Sequence, residues 1–115
     1  NTFLHCIVLP TKIMSTVVPL KEMDGEPITT DLDGWTKVDG EPTMKTWIEY
    51  STDSALCGTW TASVGTYRAE YTSFEFVHLI EGKIEITPDG GEPYTVVGGN
   101  AFVIEATFKG TWKII

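Results

Sequence analysis

Apolar and polar residues alternate with a period of two along much of this chain. Between 56 and 63, Leu56, Gly58, Trp60 and Ala62 fall on one side, and Cys57, Thr59, Thr61 and Ser63 on the other. Between 83 and 87, Ile84 and Ile86 oppose Lys83, Glu85 and Thr87. This period belongs to strands with one face in a core. No apolar 3.6-residue period runs unbroken beyond about ten residues, so no amphipathic helix is predicted. Strands are expected at 45–50, 56–63, 66–71, 75–80, 83–87, 93–97, 101–106 and 110–115. The breaks hold Asp53, Gly65, Gly82, Asp89-Gly90-Gly91, Gly98-Gly99-Asn100 and Lys109-Gly110, all turn formers. Asp89-Gly90 between alternating runs predicts a hairpin. Short strands at roughly ten-residue spacing predict a sandwich or small barrel.

Two stretches depart from the alternation. Within 75–80, Phe76, Val77, Leu79 and Ile80 make both faces apolar. Such a strand is covered on both faces, one by the core and the other by the N-terminal arm or a second subunit. Ile7, Val8, Leu9, Val17 and Val18 supply apolar surface that can cross onto a neighbour. A homodimer is therefore predicted. The second departure is 22–41, with seven carboxylates, one lysine and few apolar residues beyond Ile28, Leu32, Trp35 and Val38. It reads as an irregular arm over the surface.

Composition narrows the class. The 115 residues suit one domain. Hydrophobic residues at 42% and charged ones at 21% suit a globular chain better than a disordered one. Eight basic against sixteen acidic residues give a net charge of −8, with no basic cluster. Nucleic acids and anionic membranes are set aside as partners, because both are gripped through Lys and Arg. The apolar stretch from Phe3 to Pro10 is too short to span a membrane and lacks the basic residues that precede a secretory signal. A cytoplasmic location is expected, and the opening Asn1 leaves the true start open. Cys6 and Cys57 are too few for a disulfide framework, and no CxxC pair exists for a zinc ribbon. They are expected to be small apolar residues in a reducing compartment.

The order of motifs carries a resemblance. Gly65 to Gly82, with six residues between Glu75 and the closing glycine, resembles the first cupin motif: Gly, His-x-His, Glu and Gly at set spacings. Gly99 to Trp112 resembles the second. Gly58-Thr-Trp60, Gly65-Thr-Tyr-Arg68, Phe74 to Gly82 and Phe108-Lys-Gly-Thr-Trp112 are similar to small one-domain cupins. These are the group related to the cupin domains of ureidoglycine aminohydrolase and of ethanolamine-utilisation proteins. The resemblance implies an all-β fold, the cupin-type double-stranded β-helix or jelly-roll β-barrel. Residues 1–44 would form an N-terminal strand and irregular arm, and 45–115 the cupin barrel, within one structural domain overall.

In metal-binding cupins two His and a Glu of the first motif and one His of the second hold the ion. Here the His positions fall on Arg68 and Glu70, or on Ala69 and Tyr71, according to the spacing chosen, and the second-motif His falls on Gly110. Only Glu75 remains, so no tightly held transition metal is expected and at most a weakly bound divalent ion. The charge of Arg68 beside the site would also repel a cation. Glu75 reads as acid/base or weak metal ligand, or else as the partner of Arg68 or a backbone donor. Trp60, Arg68, Tyr71, Trp112 and Glu105 are the candidate ligand-binding residues, with Tyr67 able to add to an aromatic lining. Glu105 reads equally as a surface carboxylate, and the aromatics as core. His78, three residues after Glu75, falls on the opposite strand face. The functions in view are a small polar metabolite bound in the barrel, an enzyme using Glu75, and a non-catalytic dimeric module. A barrel plugged by Trp60, Tyr71 or Trp112 would favour the last.

Overall fold

The computed structural model describes residues 1–8 and 16–115, with Val8 described only in its backbone. Among them there is no helix. Ten strands form: β1 (Thr2–Val8), β2 (Trp35–Asp39), β3 (Met44–Ser51), β4 (Ala55–Ala62), β5 (Gly65–Glu70), β6 (Glu75–Glu81), β7 (Lys83–Pro88), β8 (Tyr94–Val97), β9 (Ala101–Ile104) and β10 (Lys109–Ile114). They make two five-stranded sheets, ordered β3-β4-β1-β6-β9 and β2-β5-β10-β7-β8. All the named pairings are antiparallel. The sheets face one another in an all-β jelly roll.

The strands expected from alternation all form, with ends shifted by one or two residues. The inward side of β4 is buried at Gly58, Trp60 and Ala62, and the inward side of β7 at Ile84 and Ile86. The hairpin at Asp89-Gly90 joins β7 to β8. Chain crossings between sheets set the geometry that follows. Residues 71–74 carry the chain from β5 to β6, and Gly82 alone returns it to β7. At Gly82 φ is +110°, a conformation that L side chains rarely adopt.

Two segments differ from expectation. The expected N-terminal strand forms as β1, but within the barrel rather than ahead of it, in the middle of its sheet between β4 and β6. Phe3 lies opposite Trp60 in register, and their rings stack at 3.9 Å and 7°. Within 22–41, Trp35–Asp39 forms β2 beside β5, and Ile28 bridges Thr46 on β3. The carboxylate-rich stretch thus covers β5 on one sheet and touches the β3 edge of the other, where bare backbone would otherwise invite pairing. Trp35 meets Trp60, Tyr67, Tyr71 and Trp112 edge to face, at centroid distances of 5.0 to 6.2 Å.

The two-faced strand β6 buries Val77 and Leu79 inside. Outside, Phe76 and Ile80 are each 40% exposed, the surface from which a homodimer is expected. Of the apolar residues expected to cross onto a neighbour, Ile7 pairs within the chain to Leu56, and Val17 and Val18 are exposed. Leu9 lies outside the described residues.

Candidate functional site

Glu75 begins β6 on its inward face and is 4% exposed. Its position follows directly from the sheet crossing. Tyr71 stands where the chain leaves β5, and its hydroxyl donates to Glu75 Oε1 at 2.6 Å across the four-residue step. The second carboxylate oxygen, Oε2, is 2.8 Å from His5 Nδ1. His5 reaches it through register. On β1 it lies opposite Val77, and Cys6 lies opposite Phe76. His5 and Glu75 are therefore diagonal neighbours on one face, within reach of long side chains.

The arrangement places one proton. A carboxylate can only accept, so His5 donates from Nδ1. In the neutral ring Nε2 then carries a lone pair. That atom is buried and has no hydrogen-bond partner. Burial holds the Tyr71 hydroxyl well above the ordinary tyrosine range, with the charge of Glu75 and the hydrogen bond to it adding to the effect. Tyr71 thus stays a donor. Each oxygen of Glu75 has one partner, and His5 Nε2 is the atom of the cluster left without one. Such an imidazole can accept a proton from a bound N–H or O–H.

The three residues border a cavity of about 240 Å³. Leu32, Trp35, Ile48 and Leu56 give it apolar walls, and Asp33 and Glu70 add carboxylates. Neither Lys nor Arg lines it among the described residues. Lys109 approaches Glu70 at 3.8 Å on the exposed side.

Of the residues expected to join Glu75 here, only Tyr71 does so. Trp60 and Trp112, 1% and 0% exposed, fill the barrel interior as core, each with an indole N–H lacking a partner. Tyr67 is also core, its hydroxyl donating to Asp31 at 2.8 Å and to the Pro42 carbonyl at 3.2 Å. Arg68 lies on the opposite face of β5 from Tyr67 and Ala69, since odd spacing reverses the face. There it grips Asp89 with two bonds of 2.9 Å, so it neither binds a ligand beside Glu75 nor repels a cation there. Glu105 is exposed beyond β9 and borders a different cavity, of about 440 Å³, with Tyr94, Phe102 and Phe108. His78 is half-buried on the outward face, as its spacing from Glu75 requires.

His5 and Trp35 were not singled out from sequence. A signal for His5 existed: Phe3, His5 and Ile7 alternate against Leu4 and Cys6, which puts one polar residue on an apolar face. Nothing local identified β6 as its neighbour.

The metal-ligand positions of the motif lie on β5, just past its end, and on β10. Tyr71 is the one that reaches Glu75, so the shorter spacing applies, with Ala69 as the other first-motif position. Ala69 pairs directly with Gly110 across β5 and β10. A Cβ at Gly110 would collide with the Thr87 carbonyl, so no histidine fits there. Among the described residues no three His, Cys, Asp or Glu side chains converge as a metal site. These residues do not fit a tightly held transition metal.

Fold and site together define a jelly-roll barrel with a carboxylate–imidazole–phenol cluster at the start of β6. The family model of the EutQ-like cupin domain matches residues 50–115, more than half of the chain, and the chain belongs to that family. No curated protein matches it. The match begins after β1 and β2, so His5 and Trp35 reach the site from outside the matched region.

Proposed function

We propose that the cavity at Glu75 binds a small polar metabolite, and that this ligand is a cation or a hydrogen-bond donor. The observation that carries the reading is His5, which borders the cavity and whose buried Nε2 has no partner. A buried acceptor left unsatisfied costs about 1–3 kcal/mol, which a donor from the ligand recovers. Asp33, Glu70 and Glu75 bring negative charge to the same space, and the faces of Trp35 and Tyr71 suit a cation. Metabolites of this size fit a cavity of about 240 Å³.

The test is an NMR titration with methylammonium, guanidinium and imidazolium, and acetate as the anionic control. The chain has two histidines, so the His5 ring signals are read against those of His78 on the outer face. Saturable shifts at His5 with a cation, absent with acetate and lost in Tyr71→Phe, support the reading. Equal response to acetate, or shifts at His78 alone, overturns it. A second reading, a non-catalytic module, is favoured by the aromatic plug of Trp60 and Trp112 behind the cavity. It gains if none of the four probes moves the His5 signals.

A further inference from the structure

The outward face of the β1–β4 pair carries chemistry that the cavity does not use. Cys6 and Cys57 lie directly opposite one another in register. Their sulfurs are 2.7 Å apart, although 51 positions separate them in the chain. Both thiols are half-buried rather than sealed. Directly opposed antiparallel residues have Cα atoms about 4.5–5.5 Å apart, within the range a disulfide spans. Closing the bond requires the sulfurs to approach by about 0.7 Å more. The sequence suggested two unrelated apolar residues, whereas the fold makes them a pair.

We propose that Cys6 and Cys57 form a redox site, a dithiol that closes to a disulfide by exchange with a low-molecular-weight disulfide. In the proposed order Cys6 attacks first. The Cys57 thiol is pushed up to about 12, by burial first, then by its hydrogen bond to Cys6 and by the charges of Cys6 and Glu49. Cys57 is therefore a poor first nucleophile. The Cys6 thiolate bonds to one sulfur of the small disulfide, breaking its S–S bond and expelling one thiolate. Cys57 then gives its proton to solvent and attacks the Cys6 sulfur, expelling the second thiolate. Two protein thiols are oxidised and one small disulfide is reduced to two thiols, with the two released protons balancing the two thiolates.

The experiment incubates the full chain with oxidised glutathione and follows the intact mass under non-reducing conditions. The wild type loses two hydrogens without retaining an adduct, peptide mapping joins Cys6 to Cys57, and dithiothreitol reverses the change. Cys57→Ser stops at one glutathione on Cys6. Cys6→Ser acquires its adduct at least tenfold more slowly. Three results overturn the proposal: a stable glutathione adduct on the wild type, cross-links between copies in place of the internal one, or no reaction while the urea-unfolded chain reacts. The wild-type measurement stands alone should either variant fold poorly.

Discussion

Two cavities meet in this barrel at one aromatic contact. Tyr71 lines the smaller cavity and Phe108 the larger, and the two rings touch edge to face at 5.7 Å. The larger one, about 440 Å³, is bordered by Ile86, Phe102, Ile104 and Phe108, with Glu105 exposed at its edge. The smaller, about 240 Å³, has His5, Tyr71 and Glu75 hydrogen-bonded together. Volume alone points to the first. Chemistry points to the second, because recognition needs polar groups that converge and are not already satisfied. The larger cavity offers a ligand apolar contact and one solvated carboxylate.

The sharpest way to break this contrast is Glu75→Leu. It leaves His5 Nδ1 and the Tyr71 hydroxyl without their shared acceptor. At about 1–3 kcal/mol for each stranded group, a loss of about 3 kcal/mol is expected in urea unfolding. The His5 response to the cation probes should vanish with it. A loss below about 1 kcal/mol would mean that the cluster is not the organised element described above.

Tyr71→Phe should cost less, about 1.5 kcal/mol, since it removes one hydrogen bond to a charged acceptor. It also tests the pH dependence. Tyr71 and Tyr67 are raised above the ordinary tyrosine value, and Cys57 is raised from 9.0 to about 12. A raised acid binds its proton more tightly folded than unfolded. Its stabilisation is full below the unfolded value and falls as pH rises toward the folded one. The wild type should lose stability progressively from about pH 9 upward. In Tyr71→Phe the loss above pH 10 should be shallower, while the shares of Cys57 and Tyr67 persist. Melting temperatures measured from pH 7 to 11 check this, and identical slopes in the two proteins would contradict it.

In the larger cavity, Phe108→Leu should cost about 1 kcal/mol of packing and leave the cation response intact. Loss of that response would show that the two cavities act as one. The smallest effect belongs to Arg68→Ala. Its pair with Asp89 is solvent-exposed, and exposed pairs contribute little. No resolvable change in the urea midpoint or in binding is expected.

The barrel was legible because its evidence is local. Alternation from 56 to 63 or from 83 to 87 needs no knowledge of neighbours, and it correctly turned Trp60 and Ile86 inward. The same parity, applied to 67–71, would have placed Arg68 outside with Tyr67 and Ala69 inside. The open spacing of the motif obscured this until Tyr71 was seen to meet Glu75. β2 was invisible for a different reason: four of its five residues are exposed, so no alternation marks it. The contact of His5 with Glu75 spans 70 positions and exists only through strand order, which a single sequence does not encode locally. The pairing of Cys6 with Cys57 was hidden in the same way.

The central place of β1 also bears on how the chain acquires its structure. Synthesis delivers Thr2–Val8 well before their partners, Ala55–Thr61 on one side and residues 76–81 on the other. The strand must wait until those partners exist, and closing such long loops costs entropy before any contact repays it. Until then β4 and β6 each show an unpaired edge. Refolding should accordingly be slow, and a chain cut after Val8 should associate through those edges rather than remain dispersed.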